Sequence, residues 1–582
     1  MENYLEIYQQ WLDSPALSES EWSELKAIAD DEKEIESRFF APLEFGTAGL
    51  RGIMGMGINR MNVHVIRHAT QAFANVIRAE GVDAMERGIV ICYDCRINSE
   101  AFAREAAGVM AGNGVKVLLF EGLRPTPELS FAVRHYGAIA GINVTASHNP
   151  KAYNGYKVYW SDGAQLPPDH ADDIAEEMVR IDTFTDVECM DCDKAIEEGL
   201  VRIIGEETDE AFLKNVLSQA INPEVVKKAG DELKIVYTPF HGAGYKLVPE
   251  ALRRLGIRGL VPVPEQMIPD GEFPTVVNPN PEMPEGFALA VKLAEEVHSD
   301  LIIGTDPDAD RVGVMVRSPE GGYVAISGNQ MGVLLLDYII NARRVAGTLP
   351  ANAAAIKTIV TTEMAREVCE RNGVHIDDTF TGFKFMAEKL AEYQKDGSHE
   401  YILAYEESYG YMMGDFVRDK DAVTASMMIS EMAAHYYLQG MTLADAMNAL
   451  YEKYGYFGEK TINLVMPSLD GLRQMKALMA ELRENPPGEI AGVKVIKQRD
   501  YLAGKIWVSG IGIVGPTEIV GSNVLYYELL DGTSFIVRPS GTEPKIKVYI
   551  LARGETREEC DERIAQYEAF GNSLVDYKGE QD

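Results

Sequence analysis

Short apolar runs with the character of buried strands alternate with longer helical segments along most of this chain, and that rhythm limits its fold. "KVLLFEG" is followed by helical "PELSFAVRHY" and then by "GAIAGINV". "LKIVYTP" leads into a helix through "YKLVPEALRRLG", and "HSDLIIGTD" follows the helix of "PEGFALAVKLAEEV". A third round runs through "AAIKTIVTT", "EMAREVCERNG", "KFMAEKLAEYQK" and "EYILAYEES". Such β-α-β alternation predicts parallel-rich α/β domains. The last stretch breaks the rhythm. "KTINLVMP", a helix to about Glu484, the strands "VLYYELLD" and "SFIVRP", then "KIKVYILARG" and a closing helix form an α+β pattern. A chain of 582 residues has room for about four domains of roughly 150 residues each. We expect three mixed α/β domains over 1–207, 208–321 and 322–455, and an α+β domain over 456–582. The three rounds share architecture but no clear sequence repeat.

A formal net charge of −35 argues against nucleic acid or anionic membrane as a partner. No window approaches the run of about 20 apolar residues that a membrane helix needs. The opening "MENYLEIYQQWLDSP" carries acids and no long apolar run, so no secretory leader is expected. Six cysteines in so long a chain make no disulfide framework, which points to the reducing cytoplasm. The pairs Cys92/Cys95 and Cys189/Cys192 lie far beyond zinc-ribbon spacing from each other and read as reduced thiols. In a chain this acidic, a place where arginine, lysine and glycine gather is a candidate site for a small anion.

Ligands of open α/β sheets sit beyond the carboxyl ends of strands, and three polar loops hold that position. "VTASHNP" follows "GAIAGINV" and sets Ser147 beside His148; "KAYNGYKVYW" then resumes strand character after an expected turn at Asn154-Gly155. A serine-hydrolase elbow wants glycine two residues either side of its serine, where this chain has Thr145 and Asn149. "TDPDADR" joins the strand-like "LIIG" and "VGVMV". Its crowded Asp306, Asp308 and Asp310 repel one another unless a hard cation neutralises them, Mg²⁺ before Ca²⁺. An EF-hand is excluded, because Arg311 stands in place of its glycine and Arg317 in place of its glutamate. The open positions of such a metal suit a phosphate oxygen, and Arg311 can hold another oxygen of the same group. "YEESYG" ends a third strand, with Glu406, Glu407 and Ser408 placed to accept from sugar hydroxyls.

Two further loops suit anions. "RPSGTEPK" combines the planar fork of Arg538, the hydroxyls of Ser540 and Thr542, close backbone approach at Gly541 and the charge of Lys545. It lacks the glycine spacing of a Walker loop. "FGTAGLRG" places Arg51 amid glycines.

Taken in this order and at these intervals, "TASHNP", "DPDADR", "EES" and "RPSGTEP" closely resemble the motifs of the α-D-phosphohexomutase superfamily. The resemblance covers nearly the whole chain, and "GYK", "RPTPEL", "TPFHGAG" and "TGFKF" place it near the family's longer branch. It implies four domains around one central cleft, the C-terminal one closing over substrate. It implies that Ser147 carries a phosphoryl group, and that one Mg²⁺ is held by this phosphate with Asp306, Asp308 and Asp310. The electrostatics agree, since a hydroxyl is a poor ligand whereas a phosphoserine brings about −1.5 to −2 charge.

By the same resemblance, Lys157 and Arg51 flank the reacting oxygen, Lys157 giving acid–base assistance and Arg51 electrostatic support. His148 is then a local partner of Ser147 rather than a triad base. Glu406 and Ser408 would bind sugar hydroxyls, Lys384 of "TGFKF" would help select the sugar, and the Arg538–Lys545 loop would anchor the phosphate that does not react. The implied reaction interconverts glucose 1-phosphate and glucose 6-phosphate, with glucose 1,6-bisphosphate as intermediate and activator. Pentose or mannose phosphates, or synthesis of a sugar 1,6-bisphosphate, are the alternatives, because "YEESYG" departs from the "GEES" start common in hexose enzymes. A dehalogenase-type phosphatase with Asp306 as nucleophile and Asp308 as acid leaves "TASHNP" and the phosphate loop unexplained.

Overall fold

The structure, a computed structural model, describes residues 4–465, 471–539 and 545–574. The first sheet has six strands: β1 (Leu50–Ile53), β2 (Ile89–Tyr93), β3 (Val117–Phe120), β4 (Ala140–Val144), β5 (Tyr153–Trp160) and β6 (Val201–Ile204). Their order is β1-β5-β4-β2-β3-β6. The centre is parallel, β2 lying between β3 and β4 with β6 beyond β3. β2 and β4 are buried at every residue, which is why they read as apolar runs, Asn143 of β4 excepted. The helix Val63–Ala79 buries Ile66, Phe73 and Ile77 in the same core as Ile89 and Ile91. Asn62 starts that helix by accepting from the Val65 N–H at 3.0 Å, a cap that contributes about 1 kcal/mol.

β5 runs antiparallel to β4, and β1 antiparallel to β5, so the sheet is mixed: the parallel run β4-β2-β3-β6 carries an antiparallel pair at one edge. The turn expected at Asn154-Gly155 is absent. Both residues lie inside β5, Asn154 opposite Gly52 and Gly155 opposite Arg51. A Cβ on Gly155 would meet the carbonyl oxygens of Thr145 at 2.5 Å and Leu50 at 2.9 Å, so this glycine serves close backbone approach. Asn154 is held by Ile97 O and Ser99 Oγ. Strand pairing has overridden a local turn signal, and the chain reverses earlier, over residues 147–152. Gly49 (φ +76°) closes a turn with Gly46, and a Cβ there would lie 1.8 Å from Tyr156 O; that contact seats β1, and Arg51 on it, against β5.

The second sheet comprises β7 (Ile235–Thr238), β8 (Leu260–Pro262), β9 (Leu301–Thr305), β10 (Val312–Arg317) and β11 (Tyr323–Ile326), in the order β11-β10-β9-β7-β8. β7 is parallel to β8 and β9, whereas β9, β10 and β11 form an antiparallel meander. Next come β12 (Ala353–Thr358) and β13 (His375–Thr379), which pair in parallel, then β14 (Glu400–Glu406) and β15 (Gly410–Met412), which form a tight antiparallel hairpin.

The last sheet is antiparallel throughout, as its α+β pattern predicts. It contains β16 (Tyr456–Val465), β17 (Glu489–Ile490), β18 (Val493–Asp500), β19 (Lys505–Val508), β20 (Gly512–Gly515), β21 (Leu525–Leu529), β22 (Ser534–Pro539) and β23 (Lys545–Gly554). The helices Gly471–Glu484 and Arg557–Ser573 supply Leu478, Leu482 and Tyr567 to its core.

The chain divides into two compact units. Residues 1–328, 345–347 and 402–444 form one, and residues 329–344, 348–401 and 445–582 the other. Among the described residues no helix is long and apolar enough to cross a membrane.

Candidate active site

Ser147 lies on the loop leaving β4 with φ 51°, a left-handed conformation that a serine keeps only where its surroundings impose it. Arg96, buried to 3% exposure, imposes it. Its guanidinium donates to the carbonyls of Ser147, Asn149, Pro150 and Tyr153. Asp94 stands behind it, accepting from the Arg96 N–H at 2.9 Å and from Thr145 Oγ1 at 2.6 Å; Thr145 Oγ1 in turn accepts from the Ser147 N–H at 2.8 Å. Sequence reasoning missed Asp94 and Arg96. Their available signal was an acid and an arginine placed directly after a fully apolar strand.

Ser147 Oγ donates to Asp306 Oδ2 at 2.9 Å and lies 3.2 Å from His148 Nδ1. Burial pushes the His148 pKa well below the ordinary histidine value, and Arg311 and Arg51 add to this, so the ring is neutral near pH 7. On the other side of the loop, Arg51 donates to Asn149 Oδ1 at 3.0 Å.

Asp306, Asp308 and Asp310 occupy the connection from β9 to β10. Asp306 Oδ1 accepts from the N–H groups of Asp310 and Arg311, which curls the loop so that all three acids share one side. All three are buried, with candidate ligand oxygens within 4.8 Å of one another. Asp308 Oδ1 and Asp310 Oδ1 have no hydrogen-bond partner. Buried carboxylate oxygens without partners are costly, and an all-oxygen set of this kind fits Mg²⁺. Among the described residues no other group of three or more His, Cys, Asp or Glu is close enough to hold a metal, and all six cysteines are free thiols.

Two ammonium groups face the triad. Lys157 on β5 reaches Asp308 Oδ2 at 2.6 Å and Asp310 Oδ2 at 3.1 Å, and Lys420 lies 3.1 Å from Asp310 Oδ2 and from Asp419 Oδ1. Arg311 Nε adds a third cation 3.9 Å from Asp310 Oδ1, and what calls for a metal here is the pair of buried carboxylate oxygens left without hydrogen bonds. Burial, reinforced by Asp308 and Asp310, pushes Asp306 well above the usual carboxylate range. Burial opposes charge on Asp308 too, but Lys157 and Thr126 outweigh it and hold that group low. Burial likewise opposes charge on Lys157, yet Asp308 and Asp310 prevail and keep the amine protonated. Asp419 and Lys420, in "VRDKDA", were also missed, and a dense charged run before an apolar helix was their only signal.

Glu406 ends β14 at 5% exposure and accepts from Ser408 Oγ at 3.3 Å. This hairpin abuts the acidic loop: Arg311 Nη1 donates to Ser408 O at 3.0 Å and to Glu282 Oε1 at 2.9 Å. Arg51, Ser147, His148, Lys157, the three aspartates, Arg311, Glu406 and Ser408 thus all belong to the first compact unit. Lys384, Arg538 and Lys545 belong to the second. Lys384 Nζ sits 4.7 Å over the Phe385 ring. Arg538 is near the end of β22 and Lys545 begins β23, the antiparallel strand beside it. Ser540, Gly541 and Thr542 lie outside the described residues.

Four family models match in succession. The phosphoglucomutase/phosphomannomutase α/β/α domains I, II and III match residues 42–184, 210–321 and 327–454, and the C-terminal domain matches residues 462–566. A phosphoglucomutase of Staphylococcus saprophyticus is 34% identical over 545 residues, 94% of this chain and 96% of that protein. One from Staphylococcus aureus is 36% identical over 529 residues, 90% of this chain and 93% of its own length. The fold is similar to the open form of Paramecium pp63/parafusin, a phosphoglucomutase, with a TM-score of 0.66 at 17% identity over 92% of this chain and 96% of that one. It is also similar to a phosphoglucomutase/phosphomannomutase family protein of Burkholderia thailandensis, with a TM-score of 0.63 at 18% identity over the same shares.

Proposed function

The chain belongs to the phosphoglucomutase/phosphomannomutase family, and from that membership we propose that it is a phosphoglucomutase interconverting glucose 1-phosphate and glucose 6-phosphate. The observation that carries this reading is the hydrogen bond from Ser147 Oγ to Asp306, at the edge of a buried triad with two unpartnered oxygens. Ser147 carries the transferable phosphoryl group. Its phosphate with Asp306, Asp308 and Asp310 would hold one Mg²⁺, which would draw charge from the phosphoryl group in transfer.

In the first half-reaction the bond from phosphorus to Ser147 Oγ breaks and a bond to the free sugar hydroxyl forms, giving glucose 1,6-bisphosphate. Lys157, held protonated by its two aspartates, gives its proton to the departing Oγ, and the amine so formed takes the hydroxyl proton of the sugar. Arg51, charged throughout, offsets charge on the transferring oxygens. The bisphosphate then turns over, and its other phosphate returns to Ser147 by the reverse steps. Glucose 1,6-bisphosphate also acts as activator, because it recharges a serine that has lost its phosphate. Glu406, Ser408 and Lys384 select the sugar, with Arg311 on a phosphate oxygen.

The common phosphate anchor is Arg538 with Ser540, Gly541, Thr542 and Lys545. Arg538→Ala removes a charge-assisted bidentate pair and is expected to weaken glucose 6-phosphate binding by about 2 kcal/mol or more, measured by calorimetry. Unchanged affinity would place the anchor elsewhere. We assign the four domains to 1–207, 208–321, 322–455 and 456–582, and the protein, with its six free thiols, to the cytoplasm.

The sugar assignment is tested by relative kcat/KM on glucose 1-phosphate, mannose 1-phosphate and ribose 1-phosphate. Glucose is expected first. A preference for ribose of more than about tenfold would make the protein a phosphopentomutase while leaving the phosphoryl chemistry unchanged.

A further inference from the structure

The two oxygens of Asp308 differ. Oδ2 accepts from Lys157 Nζ and from Thr126 Oγ1, each at 2.6 Å, whereas the buried Oδ1 has no hydrogen-bond partner. Thr126 opens the helix Thr126–Tyr136, is fully buried, and also donates its N–H to the Asp308 carbonyl at 2.8 Å. One residue therefore holds both the main chain and the side chain of this aspartate. It is itself well anchored, since Arg124, two residues before it, makes a bidentate pair with Asp209.

Behind Thr126 stands Asn143, fully buried on β4, whose Nδ2 lies 2.7 Å from Thr126 Oγ1. Donor counting sets the direction of this chain. A hydroxyl has one proton, and an ionised carboxylate only accepts, so the threonine proton goes to Asp308 Oδ2. Thr126 Oγ1 is then an acceptor, and Asn143 must present its nitrogen. That orientation leaves Asn143 Oδ1 facing no partner, as observed.

We propose that Asn143 and Thr126 form a positioning relay for the metal site: by holding Asp308 Oδ2 from behind, they keep Oδ1 turned toward the divalent cation. Lys157 grips the same Oδ2, but its hold weakens whenever the proposed reaction takes its proton and with it the charge. Thr126 is neutral, buried and unaffected by that transfer. The inference rests on the triad being the Mg²⁺ site. Outer partners of this kind fix the orientation of a ligating carboxylate.

The test titrates Mg²⁺ calorimetrically into wild type, Thr126→Val, Thr126→Ser and Asn143→Ala, and records thermal unfolding of each without metal. Thr126→Val keeps the side-chain shape and removes the hydroxyl; it is expected to weaken Mg²⁺ binding by about 10- to 100-fold. Thr126→Ser should restore affinity to near wild type, and Asn143→Ala should fall between. At saturating Mg²⁺ the KM for sugar phosphate should be unchanged. If Thr126→Val does not fold, Asn143→Ala decides, and wild-type affinity in that variant overturns the relay. Equal weakening in the valine and serine variants overturns it as well, because packing rather than the hydroxyl would then matter. Absence of Mg²⁺ binding by the wild-type protein would instead remove the metal reading on which the relay stands.

Discussion

Ser147→Ala is expected to lower turnover by on the order of 10,000-fold or more, as removal of a covalent nucleophile does, while glucose 6-phosphate still binds. The geometry makes this a clean substitution. The left-handed loop is held through its carbonyls by Arg96, and the Ser147 N–H is held by Thr145, so neither restraint involves the serine side chain. What disappears is Oγ, its bond to Asp306 and the attachment point of the proposed phosphoryl group. Comparing kcat in a coupled assay with a calorimetric Kd separates the two effects. Loss of binding in parallel with turnover would mean that the serine shapes the pocket rather than carrying the reaction.

Asp308→Asn is the second large effect. Burial opposes charge on Asp308, but Lys157 and Thr126 hold this carboxylate ionised, so the amide would remove a full charge from the triad. Metal assistance to phosphoryl transfer supplies several kcal/mol of charge stabilisation, so single-turnover transfer should slow by about 1,000-fold or more. Substrate affinity should stay nearly intact, because the proposed anchor, Arg538, is elsewhere in the chain. Chelation of wild type should reproduce the loss, and added Mg²⁺ should reverse it in wild type only. The pattern is opposite to that of Arg538→Ala. If Asp308→Asn loses sugar-phosphate binding and Arg538→Ala keeps it, the roles of the two loops are reversed.

The parts of the site legible in the sequence are those that gather in short runs. Asp306, Asp308 and Asp310 lie within five residues, and alternation along a loop between two apolar strands is enough to bring them together. The loops after β4, β9 and β14 follow the same logic, since a buried strand that ends in polar residues marks a ligand edge. What stayed hidden are single polar residues whose partners are remote. Thr126 is 182 residues from Asp308, a separation that leaves no local pattern, and Lys157, 151 residues from it, is reached only through the family resemblance. Arg96 acts on a loop some 50 residues away through backbone carbonyls, which carry no residue identity at all, and Asp94 acts on it through the Thr145 hydroxyl. Asn154-Gly155 misled for the converse reason. Its local turn preference is real, but pairing with β1 and the close approach of Thr145 and Leu50 decide the outcome.

The account rests on Ser147 as the carrier of the phosphoryl group. Its most direct test is to incubate the protein with glucose 1,6-bisphosphate and Mg²⁺, map the phosphorylated residue by peptide mass spectrometry, and then chase with glucose 6-phosphate. One phosphoryl group on Ser147, discharged into sugar bisphosphate during the chase, is the predicted result. An acyl phosphate on Asp306, or a Ser147 phosphate that persists through the chase, would contradict it.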